Sequence, residues 1–257
     1  MKMPTAFISH GAPDRVLNDS SSNLFLRNFA SLFSKPSGIV IISAHWQTQV
    51  PSITTAGNLT AKHDFYGFSD ELYRVNYQVE QTQALTQQVY RTLNQHGEKI
   101  DIIKRNLDHG SWSVLSLAFP EADIPVVNMS LPNYPKFAQY VELGKQLNTL
   151  REQGILIIGS GSATHNLSAL SRDSTPPVWA EQFVKWLHHT VTQMNLDALA
   201  NLYQQAPHAK RAHPTAEHYL PLLIAAGAAS DEQSRLIHDS YEYSALNNSS
   251  FLFGEFN

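Results

Sequence analysis

Twelve of the 257 residues are histidine and none is cysteine. Any tightly held transition metal would therefore be bound by imidazole nitrogen or by oxygen, and thiolate sites, disulfides and cysteine nucleophiles are all excluded. Several histidines stand in equivalent places. His10 closes the run Ala6-Phe7-Ile8-Ser9-His10, His45 closes Ile41-Ile42-Ser43-Ala44-His45, and His165 follows Ile157-Ile158-Gly159-Ser160-Gly161-Ser162-Ala163-Thr164. His109 lies in Asp108-His109-Gly110-Ser111-Trp112, between an apolar run and a helical pattern. His218 opens a further helical pattern, Glu217-His218-Tyr219-Leu220-Pro221, where proline suits a first turn. A catalytic metal needs about three protein ligands and one position left for substrate or water, and neutral imidazole suits zinc and iron alike. His10, His45 and His218 can supply that set. One histidine at a strand end is more often a hydrogen-bonded structural residue; it is the recurrence that points to metal chemistry.

The elements that must position these residues follow from the hydrophobic pattern. Apolar, β-branched runs predict strands over Thr5–Ser9, Gly38–Ser43, Ile100–Lys104, Ile124–Ser130 and Ile155–Gly159. Ile39-Val40-Ile41-Ile42 and Ile155-Leu156-Ile157-Ile158 lack polar alternation, as expected of strands covered on both faces. Apolar spacings of three and four predict helices over Leu24–Phe33, Thr82–Gln95, Tyr134–Leu150, Val178–Met194 and Glu217–Ala229. Their alternation implies an α/β fold, a single three-layer domain over residues 1–257 with a mostly parallel or mixed central sheet flanked by helices. Ser168–Pro177 and Gln204–Pro214 read as loops, and one or two strands are expected near Ala245–Phe253. In an open sheet of this kind ligands bind outside the carboxyl ends of the strands, where His10, His45 and His165 are expected to converge.

The remaining features narrow the partners. A formal charge of -4 leaves no basic field for nucleic acid. The N-terminus shows neither a signal peptide nor a transmembrane span, so no membrane partner and a cytoplasmic location are expected. Gly159-Ser160-Gly161-Ser162 is neither a full dinucleotide fingerprint nor a serine-hydrolase elbow, and no nucleotide or flavin is expected. His188 and His189 are adjacent on one helix and point apart. They are expected to be surface or capping residues. His96, His208, His213 and His238 are expected to be solvated, with His213 a reserve ligand. Trp46, Trp112 and Tyr219, beside the key histidines, are either core filling or the aromatic lining of a pocket for a flat substrate.

Six motifs, in order from about residue 4 to residue 228, carry a resemblance. They are His10-Gly11-Ala12-Pro13, Ser43-Ala44-His45-Trp46, His63-Asp64-Phe65-Tyr66-Gly67-Phe68, Asp108-His109-Gly110-Ser111-Trp112, Ser160-Gly161 through His165-Asn166-Leu167, and Glu217-His218-Tyr219-Leu220-Pro221-Leu222. Together they resemble the 4,5-DOPA extradiol dioxygenases, within the class III extradiol dioxygenases related to the protocatechuate 4,5-cleaving enzymes. The resemblance implies a mixed α/β fold and one divalent metal, iron(II) for turnover or zinc as bound, on His10, His45 and His218. It implies His165 as acid/base or fourth metal ligand and His109 near the substrate hydroxyls. His63 joins Trp46, Trp112 and Tyr219 as a candidate substrate-binding residue. The implied partners are a small aromatic diol and dioxygen, with a homodimer as one compatible assembly. Because iron(II) oxygenases usually combine two histidines with one carboxylate, Glu217 competes with His218 for the third ligand position. Two other functions use the same histidines: a zinc hydrolase of amides or esters with Glu217 as base, and a non-catalytic metal or small-molecule binding protein. Departures from the family pattern at Ala12, Ser69 and Gln78–Gln81 lie around the expected entrance, where they bear on which substrate is accepted.

Overall fold

The computed structural model describes residues 2–230 and 232–254. In chain order its strands are β1 (Thr5–Ser9), β2 (Gly38–Thr48), β3 (Ser52–Thr54), β4 (Gly57–Thr60), β5 (Gln78–Gln81), β6 (Asp101–Ile103), β7 (Val126–Pro132), β8 (Ile155–Gly161), β9 (Gln233–His238), β10 (Tyr241–Glu242), β11 (Leu246–Asn247) and β12 (Ser250–Gly254). Its helices are α1 (Ser21–Phe29), α2 (Gln83–Asn94), α3 (His109–Ala118), α4 (Ala138–Glu152), α5 (Val178–Thr192), α6 (Leu196–Ala200), α7 (Leu202–Gln205), α8 (Ala209–Ala212) and α9 (Leu220–Gly227).

Eight strands join in the order β6-β3-β7-β2-β8-β1-β12-β9. The centre, β7-β2-β8-β1, is parallel. Antiparallel pairings of β3 with β7, and of β12 with β1 and β9, make the whole sheet mixed. Successive side chains of a strand face opposite ways, and here both faces are covered. Val40 and Ile42 join the core built from α2, α4, α5 and α9. Ile39 and Ile41, on the same strand, join the core built from α1 and α3. The expected three-layer α/β architecture is what the chain adopts. No helix among the described residues is long and apolar enough to cross a membrane.

Several expectations need correction. β2 does not end at Ser43 but runs on to Thr48, so His45 lies within a strand rather than beyond it. The run at Ile100–Lys104 does form a strand as expected, the exposed edge strand β6. Residues 204–214 are not simply a loop, because they hold the end of α7 and all of α8. α9 starts at Leu220, which leaves Glu217 and His218 in the preceding turn rather than on the helix.

Candidate active site

His10 is the first residue after β1, and its backbone N–H donates to Gly161 O at 2.9 Å. Gly11 follows with φ +62, a conformation that suits glycine and turns the chain sharply away from the strand end. His45 reaches the same place differently. The pairing of β2 with β7 slips between Ile42 and Gln47, where Ile42 faces Met129 and Gln47 faces Leu131. The extra residues bulge from the ladder, and such a bulge re-aims side chains beside active sites. His218 arrives from the turn before α9, tied to the end of β8 by a 2.9 Å bond from Ser162 N to His218 O. That approach requires glycine at 161, since a Cβ there would lie 2.1 Å from His218 O.

Three imidazoles from distant parts of the chain thus meet. Nε2 of His45 lies 3.1 Å from Nε2 of His10 and 3.3 Å from Nε2 of His218. The opposite nitrogens decide what these contacts are. Ser160 Oγ donates to Gly110 O at 2.5 Å, so it accepts from His10 Nδ1 at 2.9 Å. His218 Nδ1 donates to Glu217 Oε1 at 3.0 Å. Both rings therefore carry their proton on Nδ1 and aim an Nε2 lone pair inward. His45 can share a proton with at most one of them, so hydrogen bonding alone leaves lone pairs facing one another. Ligand nitrogens about 2.0–2.1 Å from one tetrahedral ion stand roughly 3.3 Å apart, which matches the spacing. The donor set fits a divalent metal, and Ser160 and Glu217 orient its ligands as outer-shell partners do.

Burial acts in the same direction. It holds the His10 imidazole well below its ordinary pKa, helped by the neighbouring histidines. It lowers His45 to about 4 and His218 to about 3. All three are then neutral at neutral pH, the form that binds metal. For Glu217 burial works upward, but bonds from His218, its own backbone and Thr215 outweigh it and bring the carboxyl to about 2. Glu217 is thus an ionised acceptor clamped on His218 Nδ1. That geometry suits a carboxylate that supports His218 better than one that replaces it.

Two more histidines flank the cluster. His109 begins α3, whose first turn is capped by Asp108 accepting from Ser111 N at 3.1 Å. Its ring centre is 3.9 Å from that of His45, and Asp64 Oδ1 accepts from both its backbone N–H (3.1 Å) and its Nδ1 (2.9 Å). His165 stacks on His218 with ring centres 3.3 Å apart and 10° between planes. Burial is the main cause that lowers its pKa. Gly110 makes the packing feasible, because a Cβ there would sit 2.6 Å from Ser43 Oγ and 3.0 Å from a His45 ring carbon.

All five histidines line one cavity of about 400 Å³. The candidate aromatic lining does not. Trp112 is wholly buried with its N–H on Lys62 O, Tyr219 is buried with its hydroxyl on Leu199 O, and Trp46 packs under the Arg105 guanidinium. His63 donates to Val75 O at 3.0 Å, a residue behind the wall rather than on it. None of these four lines the cavity, and the described aromatic side chains besides histidine that line it are Phe68 and Tyr243. His213 is fully buried against Ala163 O instead of solvated, and it stands apart from the Nε2 cluster. His189 is exposed as expected, whereas His188 is half-buried and bonds Ser249 Oγ at 2.7 Å. Ser160, Asp64 and Asp108 stand inside motifs read from the sequence, where no role was drawn for them; their bonds to His10, His109 and the first turn of α3 show their part.

Comparison with known proteins gives the family. Residues 9–254 match the family described as the catalytic LigB subunit of aromatic ring-opening dioxygenase. A 4,5-DOPA dioxygenase extradiol of Beta vulgaris is 38% identical over 97% of this chain and 96% of its own length. One of Escherichia coli K12 is 35% identical over 88% of this chain and 85% of its own. A crystal structure of an uncharacterized E. coli K12 protein superposes with TM-score 0.83 at 30% identity, covering 98% of this chain and all of that one. The chain belongs to the LigB family of aromatic ring-opening dioxygenases.

Proposed function

We propose that this protein opens the ring of a DOPA-like catechol outside its two hydroxyls, with dioxygen as co-substrate and iron(II) as working metal. The observation that carries the reading is the convergence of three Nε2 atoms at 3.1 and 3.3 Å, two of them fixed as acceptors, within a chain of this family. His10, His45 and His218 would hold the metal. When bound, iron(II) supplies the Lewis-acid and redox chemistry that a catechol and dioxygen need in order to react.

The protein's own groups handle protons and position. Ring opening requires a hydroxyl proton to be removed and later returned, and a neutral histidine suits both steps. His165 lines the cavity beside His218 and serves as that acid/base. His109, with Nδ1 committed to Asp64, presents Nε2 to the cavity and accepts a hydrogen bond from the substrate diol. The Asp64 carboxylate then stabilises the positive charge that the ring gains if it takes the proton. Leu167, Leu170 and Leu246 supply apolar wall for a flat ring. The hydrolase alternative relies on Glu217 as its base, and Glu217 already accepts from His218 and Thr215.

The test is growth of semialdehyde absorbance with DOPA, protocatechuate and simpler catechols under air, after anaerobic iron(II) loading. Yellow product from at least one catechol is expected, and absence of ring opening with all of them would remove the reading. His165→Ala should lower turnover by about 10²–10⁴-fold while retaining most of the bound metal. Metal loss equal to that of His10→Ala would instead make His165 a ligand.

A further inference from the structure

The histidines account for one part of the cavity, and the rest has a chemistry of its own. Beyond them the wall is apolar except at Asp14, Tyr243 and Ser162. Among the described lining residues Asp14 is the one charged group besides histidine, and none is lysine or arginine. The neighbouring Arg15 does not compensate. It is buried and turned inward, with Nη1 on Ser9 O at 2.8 Å, Nε on Asn23 Oδ1 at 2.9 Å and Nη2 on Ser22 Oγ.

We propose that Asp14 is a specificity-determining residue that selects catechols whose side chain carries a protonated amine over those whose side chain is only anionic. This inference rests on the ring-opening reading above and names its substrate class. A substrate carboxylate entering alone meets an acidic group and no cationic partner. An ammonium meets a carboxylate on a wall that also holds the rings of Phe68 and Tyr243, and aromatic faces attract cations. A cavity of about 400 Å³ leaves room for a ring with a short side chain.

Two further observations support the assignment. Burial, with the nearby Glu242, pushes the Asp14 carboxyl above its ordinary value, as expected of a carboxylate that a bound cation would re-stabilise. Tyr243 and Ser244 both adopt left-handed backbone, φ +49 and +65, between β10 and β11. A tyrosine there is strained, and such strain persists only where the surroundings over-determine it. The tip is pinned by Ser171 N on Tyr243 O (3.1 Å) and by Ser244 Oγ on Thr175 O (3.0 Å). The ring of Tyr243 is thereby held on the same cavity as Asp14.

The experiment compares dopamine, 4-methylcatechol and 3-(3,4-dihydroxyphenyl)propionate on the iron-loaded wild type, Asp14→Asn and Asp14→Lys. It reads kcat/KM under air and, separately, anaerobic binding by calorimetry. In the wild type dopamine should lead the propionate in both measures. Asp14→Asn should shrink that ratio by about five- to tenfold, mainly through KM, and Asp14→Lys should reverse the order. A ratio unchanged in both variants overturns the proposal, as does a wild type that favours the propionate. Loss of ring opening with every catechol, alongside an Asp14-dependent amine preference in binding, would strike the proposed function and leave this inference standing.

Discussion

At His10 a single hydroxyl decides which nitrogen is free. With Ser160 Oγ committed as donor to Gly110 O, the His10 proton stays on Nδ1 and the lone pair stays on Nε2. Ser160→Ala removes the acceptor without adding bulk, so the ring is free to change tautomer and tilt. Metal affinity should fall by about 10–100-fold, measured by competition with a chromophoric chelator. Wild-type affinity in that variant would show that the serine does not orient the ligand. The histidines themselves were legible in the sequence, because residue type and position after apolar runs carry the signal. The parts played by Ser160 and Asp64 were not, although both stand inside the quoted motifs, since a serine on a strand or an aspartate in a loop looks like many others. Whether Glu217 or His218 faces the cluster was also beyond reach, because that depends on the turn before α9 and on which atom of each points inward.

Elements bring these residues together by backbone approach, and the approach leaves measurable tight spots. A Cβ at Gly161 would meet His218 O at 2.1 Å, and one at Gly144 in α4 would meet Ile224 O of α9 at 2.2 Å. Overpacking of this kind costs about 1–3 kcal/mol, or about 3–10 °C in melting temperature for a chain of this length. Gly161→Ala and Gly144→Ala should both melt earlier in calorimetry. Only Gly161→Ala should also weaken metal binding in the folded protein, since it alone displaces a ligand-bearing turn. Equal metal affinity in the two variants would contradict this division. The central strands were readable because β1, β2 and β8 are apolar on both faces and have no other way to be buried. The bulge that carries His45 and the exposed strand β9 were not, for opposite reasons. Ser43-Ala44-His45-Trp46 looks like the end of a strand, whereas Gln233–His238 lacks an apolar run and is held by pairing with β12.

Across the whole molecule, buried neutral histidines link folding to pH. His213 is fully buried, donates to Ala163 O and has an unpaired Nδ1. Burial lowers its pKa to about 4, against about 6.5 in an unfolded chain. The unfolded state therefore binds a proton that the folded state refuses. Stability from this group is fully present above pH 6.5 and is lost as pH falls through about 4, a span worth about 3 kcal/mol. In metal-free protein His213→Gln should flatten the acid side of melting temperature against pH relative to wild type, the other histidines being common to both. Parallel curves would contradict the assignment. The overall α/β order was legible because hydrophobic periodicity fixes which segments are covered. The meeting of residues 10, 45 and 218 was legible only as an expectation, since closure of the site depends on contacts across the whole chain. Anomalous diffraction from iron(II)-loaded crystals should show one metal site, about 2.1 Å from Nε2 of His10, His45 and His218. A fully loaded protein whose metal is bound by other residues, or by fewer than these three imidazoles, would contradict it.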